Sequence, residues 1–137
     1  MSRKLPIPEI VVTALAVVAG VAVYWYAHRD EGALEESKAR GAAIVQALDA
    51  HRTDTGIYPE ALTDLVPHYL PHVDPPAWGL ERWVYRRYRP SEIMAAAEPA
   101  SAEDDEYVYF QLSVPRNESG YPVLYYDYAA RRWVLNN

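Results

Sequence analysis

The chain contains no cysteine, so disulfide bonds and thiolate metal ligands are excluded. This absence permits an oxidising compartment without requiring one. Motifs for catalysis are missing as well: there is no glycine-rich phosphate loop, no G-x-S-x-G elbow and no H-E-x-x-H signature. Serine, histidine and acidic residues occur, but nothing in the sequence brings them together as a triad. We therefore expect a protein that is not an enzyme and that needs no cofactor.

The sequence also lacks an excess of positive charge. It carries 19 acidic and 13 basic residues, which gives a formal net charge of −6 at pH 7. An acidic domain argues against a nucleic-acid partner or an anionic surface, because both repel negative charge. Apolar residues make up 50% of the chain although 23% of it is charged, so the apolar content must be unevenly distributed.

Much of that apolar content lies in one uncharged run of 18 residues, Ile10 to Ala27. As a helix this run rises about 27 Å, which nearly matches the roughly 30 Å hydrocarbon core of a bilayer. Tyr24, Trp25 and Tyr26 close the run, and such amphipathic rings favour the level of the lipid headgroups. The pattern predicts a transmembrane helix, and the remaining length suffices for one domain of about a hundred residues.

The charges beside this run predict its orientation. Arg3 and Lys4 precede it, whereas Arg29, Asp30 and Glu31 follow it. The positive-inside rule then favours a cytoplasmic N-terminus, a single pass through the inner membrane and a periplasmic C-terminal domain. A cleaved secretory signal is the alternative, but its hydrophobic core would span only about 7–15 residues and end at a small-x-small site. We therefore expect a retained anchor.

A second helical pattern begins directly after the anchor. No proline occurs between Glu9 and Pro59, so one long helix can continue from the membrane into the domain. Apolar residues recur along one face, and glycine after Asp54 and Thr55 supplies a left-handed stop. Ala16 and Gly20 are spaced to let a second helix approach closely. The residues that form the apolar stripe are Leu34, Gly41, Val45 and Leu48, widened by Ala42, Ala43, Ile44 and Ala47.

The remainder of the chain changes from helical to strand-like composition. Pro59 suits the first turn of a short helix that Pro67 and Pro71 prevent from lengthening. Runs rich in tyrosine, tryptophan and valine then predict strands, and the aromatic side chains are expected to fill the core. The fold class is α+β, a long N-terminal helix packed on an antiparallel sheet of three or four strands. The predicted strands are 83–88, 107–114, 121–126 and 132–135, with a loop or helical turn over 90–106.

The element that joins helix and sheet reads D-x-G-x-Y-P-x-x-L-x-x-L. Together with the order of elements, it resembles the type IV pilin superfamily, and most nearly the pseudopilins of type II secretion. The resemblance implies a pilin-like fold and a non-catalytic subunit of a short periplasmic pseudopilus that serves protein transport. The residues that carry it are Asp54, Gly56, Tyr58, Pro59, Leu62 and Leu65.

The N-terminus departs from the family pattern. MSRK resembles the short basic leader, and Glu9 then occupies the fifth position after the cut, where the family has glutamate. However, Lys4 stands where the family has glycine, and Pro6 and Pro8 replace its usual residues. Two alternatives stay open: a processed subunit that assembles with copies of itself, and an uncleaved single-pass accessory subunit of a larger membrane complex.

Glu9 itself has two interpretations. The resemblance implies a carboxylate that neutralises the amino terminus of a neighbouring subunit inside the apolar bundle. Alternatively, Glu9 lies in the first helical turn at the membrane surface, where the helix dipole favours a negative charge. The predicted segments are 1–9 as a leader-like cytoplasmic end, 10–27 as the transmembrane helix, 28–56 as the amphipathic helix and 57–137 as the extracytoplasmic short helix and sheet.

Two groups of side chains carry atoms that metal ions bind. His68 and His72 are four residues apart, which on a helix would place both imidazoles on one face, and Asp74 would complete a metal site. Prolines interrupt that segment, so solvated histidines in a loop are the simpler interpretation. The acidic run with Glu103, Asp104 and Asp105 offers oxygen ligands for calcium, which some pseudopilins bind. It lacks alternating D-x-D spacing with glycine, and a solvated loop is the alternative.

Overall fold

The computed structural model describes residues 7–93 and 106–136, with the side chains of residues 7–9 and 27 excepted. Helix α1 covers Ile7–Thr55, 49 residues without a break, or about 73 Å of helix. It ends where the sequence predicts, since Gly56 has a φ of +87° and donates its N–H to the Arg52 carbonyl at 2.7 Å.

A short 3₁₀ helix, Leu62–Leu65, follows α1. The prediction that Pro59 begins this helix is wrong, because the segment before it is extended. The Tyr58 N–H donates to the Tyr107 carbonyl at 2.9 Å, which holds that segment against the chain that enters the sheet. The helix begins only where the Asp64 carboxylate accepts the Ala61 N–H at 3.0 Å.

Four antiparallel strands form the predicted sheet, in the order β1-β2-β3-β4. Each strand pairs with the next one along the chain, and the β2–β3 register covers Ser113–Tyr125, Val114–Leu124 and Pro115–Val123. A single helical turn, α2 at Pro90–Ile93, follows β1. The α+β class is therefore confirmed. The strands are β1 Val84–Tyr88, β2 Tyr109–Pro115, β3 Val123–Asp127 and β4 Arg132–Asn136.

The core lies between one face of the sheet and the second half of α1. Alternation along β2 sends Phe110, Leu112 and Val114 to the helix side, and each of them is buried. Ile44 and Leu48 of α1 belong to the same apolar cluster as Phe110 and Leu112. This packing removes one stripe of the helix from water and fixes the sheet to the second half of α1.

The apolar stripe of α1 is narrower than the sequence suggests. Ile44 and Ala47 are buried, but Ala42 and Ala43 are exposed, so their inclusion in the stripe is wrong. At about 100° per residue these two alanines turn away from the face that Gly41 and Ile44 share. One flat sheet covers only one side of a helix, so the opposite side stays in contact with solvent.

Aromatic rings fill much of this core, as predicted. The Phe110 ring meets Tyr58 at 4.8 Å between centroids and lies parallel to Tyr126 at 5.9 Å. Trp83 and Trp133 meet nearer the middle of α1, with centroids 5.9 Å apart. Rings at these separations have the tilted, edge-on or parallel arrangements that stabilise aromatic clusters.

Candidate functional site

The first half of α1 exposes apolar side chains on all sides. Val11 is 49% exposed and Val23 is 68% exposed, and every described side chain from residue 10 to 26 is exposed. An 18-residue window has a mean hydropathy of 2.1 with none of it buried. The helix is therefore long and apolar enough to cross a membrane. An apolar surface of this extent is typical of a segment that lipid or a partner covers.

An aromatic cluster marks the end of this apolar surface. Tyr24, Trp25 and Tyr26 are 62%, 71% and 80% exposed. One turn later, the His28 ring stacks on Tyr24 with centroids 4.0 Å apart, and its Nδ1–H donates to the Tyr24 carbonyl at 2.9 Å. The change from apolar to polar side chains is completed by Arg29. This order is typical of a helix that leaves the hydrocarbon layer.

The residues assigned to helix assembly lie on this exposed segment. Ala16 and Gly20 are one turn apart on one face, and a Cβ at Gly20 would meet no atom within 4 Å. Space for a second helix is therefore open along this face. The backbone of Glu9 belongs to α1, whereas its side chain lies outside the described residues, as do Lys4 and Pro6.

Ser37 fastens α1 to the loop that leads into the sheet. Its side chain is fully buried, and its hydroxyl donates to the Ala33 carbonyl at 2.9 Å. The same oxygen accepts the N–H groups of Ala77 and Trp78, at 2.9 and 2.8 Å. A hydroxyl has one donor and two acceptor sites, so all three are used. Nearby, Arg40 donates to the Pro75 carbonyl at 2.6 Å and so extends the same attachment.

At Gly41 the α1 backbone lies close against two tryptophan rings. A Cβ there would stand 2.2 Å from Cζ2 of Trp133 and 3.0 Å from Cη2 of Trp83. Only a residue without a side chain lets these rings approach the helix backbone so closely. The sequence indicates Gly41 as part of the apolar stripe, but not that two tryptophans pack on it.

The residues of the D-x-G-x-Y-P-x-x-L-x-x-L element hold the end of α1 against the sheet. Tyr58 and Leu65 are fully buried, and the Tyr58 hydroxyl donates to Asp49 at 3.1 Å. The Asp54 carboxylate accepts the Tyr69 hydroxyl at 2.9 Å. Leu62 packs on the same core cluster. These contacts are structural, and they lie far along the helix from the apolar surface.

Burial also sets the protonation state of this region. It raises the pKa of Tyr58 and of Tyr85 well above the usual phenol value, because a buried phenolate would lose its hydration. Both hydroxyls therefore stay protonated and donate hydrogen bonds, that of Tyr85 to the Pro59 carbonyl at 2.8 Å. They contribute to the packing of this region.

The histidine pair does not share a helical face. Residues 66–72 form no regular helix, and the His68 ring lies edge-on to Tyr69. His72 Nε2 lies 2.9 Å from a carboxylate oxygen of Asp74, with both side chains exposed. Within residues 7–93 and 106–136, no three histidine or acidic side chains converge as metal ligands. The calcium candidates Glu103, Asp104 and Asp105 lie outside the described residues.

An ion pair joins α1 to the sheet at the other end of the domain. Arg116, in the turn after β2, donates to the Asp30 carboxylate at 2.6 Å. The two residues are 86 positions apart, and no local pattern in the sequence could have paired them. The sequence gives one weak indication that Ser37 is buried, because this small polar residue lies on the apolar stripe four positions before Gly41. The sequence indicates neither Ser37 nor Arg116 as a contact between α1 and the sheet domain.

No family model, curated protein or solved structure matches the chain. The resemblance to pilins accordingly rests on the motif, on the order of elements and on the helix-and-sheet architecture. The described residues form a helix that is long and apolar enough to cross a membrane, its unbroken continuation under the sheet, and a small folded domain.

Proposed function

We propose that the chain is a membrane-anchored, pilin-like protein that acts without catalysis, through assembly or protein–protein contacts in the periplasm. The observation that carries this proposal is the continuity of α1. One unbroken helix of 49 residues is fully exposed and apolar in its first half and packed under the sheet in its second half. Such a helix couples the folded domain rigidly to whatever surrounds the apolar half.

The direction of insertion follows from the flanking charges. With Arg3 and Lys4 retained in the cytoplasm, the helix crosses the inner membrane once and the sheet domain lies outside the cytoplasm. In the assembling form, copies meet along the apolar half of α1, and Glu9 neutralises the amino terminus of a neighbouring copy. The pseudopilin of type II secretion is the nearest functional comparison.

The decisive measurement is the intact mass of the protein extracted from native membranes. Loss of the first four residues, with an N-methyl group on Leu5, is the result expected for a processed subunit that assembles. A mass equal to the whole chain would refute processing and leave an uncleaved anchor. The mass therefore separates the two versions of the proposal.

Contacts between helices can be tested directly because the chain has no cysteine. Single substitutions Ala16→Cys and Gly20→Cys are expected to give disulfide-linked dimers in membranes, whereas Val18→Cys on the opposite face is not. All three positions are exposed in the isolated chain. Equal crosslinking at all three would refute a specific helix face. Adducts with a protein of another mass would indicate a partner rather than a second copy.

An accessory subunit is the second candidate, and one observation favours it. Lys4 replaces the glycine of the cleavage site, and Pro6 and Pro8 follow it, so the segment is a poor match to a processed leader. In this version the helix docks beside a larger membrane complex and the domain covers its periplasmic face. A stable one-to-one complex that survives mild detergent is the expected result.

A further inference from the structure

A polar recess opens where α1 leaves the sheet domain on the side of the apolar segment. Its volume is about 290 Å³, and polar surface predominates in it. Arg29 and Asp30 of α1 line it together with Trp78 and with Arg116 from the turn after β2. The two arginines belong to segments that are far apart in sequence, so the recess is a product of the fold.

The charges around the recess leave it with one net positive charge. Arg116 is paired with Asp30 at 2.6 Å, and its guanidinium also lies 5.9 Å from the centre of the Trp78 ring. Arg29 has no side-chain hydrogen bond or ion pair with any residue in the described part of the chain. One guanidinium is therefore held in place by protein groups, while none of the described residues occupies the donors of the other.

The position of the recess along α1 indicates which ligand it meets. Arg29 follows Tyr26, the last ring of the aromatic cluster, by three residues, or about 4.5 Å of helix rise. Aromatic belts lie at the level of the lipid headgroups, so the recess faces the layer of phosphates. Guanidinium groups bind phosphate oxygens with paired, charge-assisted hydrogen bonds.

We propose that this recess binds the phosphate of one membrane phospholipid through Arg29, with Arg116 as its second contact. The proposal rests on the membrane anchoring argued above. The chain as a whole is acidic, so it is not attracted to an anionic surface from a distance. Recognition is therefore of a single phosphodiester at contact, whose one negative charge matches the net charge of the recess.

The test uses the full chain in nanodiscs that contain equal parts of phosphatidylcholine and a galactolipid with the same acyl chains. Both lipids are uncharged overall, and only the first carries phosphate. After transfer to mild detergent, native mass spectrometry counts the lipids retained by each chain. We expect one retained phosphatidylcholine in preference to the galactolipid, and Arg29→Gln is expected to reduce that retention about tenfold.

Two further variants separate binding from structure. Arg132→Gln removes the same charge from an exposed arginine at the opposite end of the sheet, where β4 begins, and is expected to leave retention unchanged. Asp30→Asn removes the carboxylate that competes for Arg116, so retention is expected to rise. A fall in retention with Asp30→Asn would overturn the charge argument, because it would mean that the ion pair only shapes the domain.

Other outcomes of the lipid-retention experiment would also overturn the lipid site. Equal retention by the parent chain and Arg29→Gln, or equal retention of the two lipids, would overturn the lipid site. Displacement of the lipid by inorganic phosphate would show a site for free phosphate instead. Carbonate extraction separates a failure of the membrane anchor from a failure of the lipid site. A chain that is washed off refutes the anchor. A chain that stays in the membrane, but whose lipid retention is unchanged by Arg29→Gln, refutes only the lipid site.

Discussion

Replacing Ser37 with alanine is expected to loosen the loop at residues 75–79 from α1. The hydroxyl oxygen of Ser37 accepts the backbone N–H groups of Ala77 and Trp78, at 2.9 and 2.8 Å. Alanine removes that acceptor and leaves no group in its place. The Trp78 N–H is buried, so it loses its partner without gaining water, while the Ala77 N–H is only partly buried and recovers some hydration.

The magnitude follows from these two environments. A buried donor without a partner costs about 1–3 kcal/mol, and a partly hydrated one costs less. Alanine is the better helix former, which returns about 0.5 kcal/mol. The net loss in the free energy of unfolding is therefore about 1–3 kcal/mol. For a domain of about a hundred residues, this corresponds to a fall in Tm of roughly 5–20 °C.

Thermal unfolding of the full chain in detergent micelles, followed by tryptophan fluorescence, measures this loss, because Trp78 lies beside the altered bond. Ser113→Ala is the matched control. Ser113 is also buried, at 5% exposed, but its hydroxyl has no hydrogen-bond partner among the described residues. Its replacement is expected to change stability by less than about 0.5 kcal/mol. If the two variants unfold within that margin of each other, the reasoning about Ser37 is refuted.

Two further predictions concern the core. Gly41→Ala places a methyl group 2.2 Å from Trp133, whereas the Cβ in Gly32→Ala meets no atom within 4 Å. The Gly41 variant is therefore expected to be about 1–3 kcal/mol less stable than the Gly32 variant. Equal stability of the two variants in a denaturant titration would contradict this. Both variants gain the same helix propensity, so the difference reports packing alone. Because its pKa is raised in the fold, Tyr58 contributes stability that is complete below pH 10, the usual phenol value, and is lost as pH rises above it. Above pH 10, the free energy of unfolding is expected to fall more steeply with pH in the parent chain than in Tyr58→Phe, by up to about 1.4 kcal/mol per pH unit. Equal slopes in the two proteins would refute a contribution of Tyr58 to this pH dependence.

The parts of the fold that the sequence predicts well are those set by neighbouring residues. The end of α1 follows from the glycine after Thr55, which adopts the left-handed conformation that other residues avoid. The strands follow from alternating aromatic and β-branched residues, and the structure shifts their ends by one or two positions. Arg86 and Arg87 point to opposite faces as the pleat requires, the first exposed and the second half-buried.

The parts that the sequence does not predict depend on residues that are distant along the chain. The 3₁₀ helix begins after Pro59 because Tyr107, far away in sequence, holds the preceding segment extended. In the same way, nothing local indicates that Ser37 meets Trp78 or that Asp30 meets Arg116. Such pairs are fixed only when the sheet has docked on the helix, so they require the tertiary structure.

The contacts Ser37–Trp78 and Asp30–Arg116 set how far along α1 the folded domain begins beyond the proposed membrane segment. The aromatic cluster that would lie at the headgroups ends at Tyr26, and the attachment of the sheet begins at Asp30, four residues or about 6 Å of helix further on. No free linker therefore separates the membrane surface from the folded domain. Because α1 is continuous, a rotation of the apolar half turns the sheet with it. A partner that binds either half is consequently positioned with respect to the other, which is the property that assembly through one helix and recognition through one small domain both require.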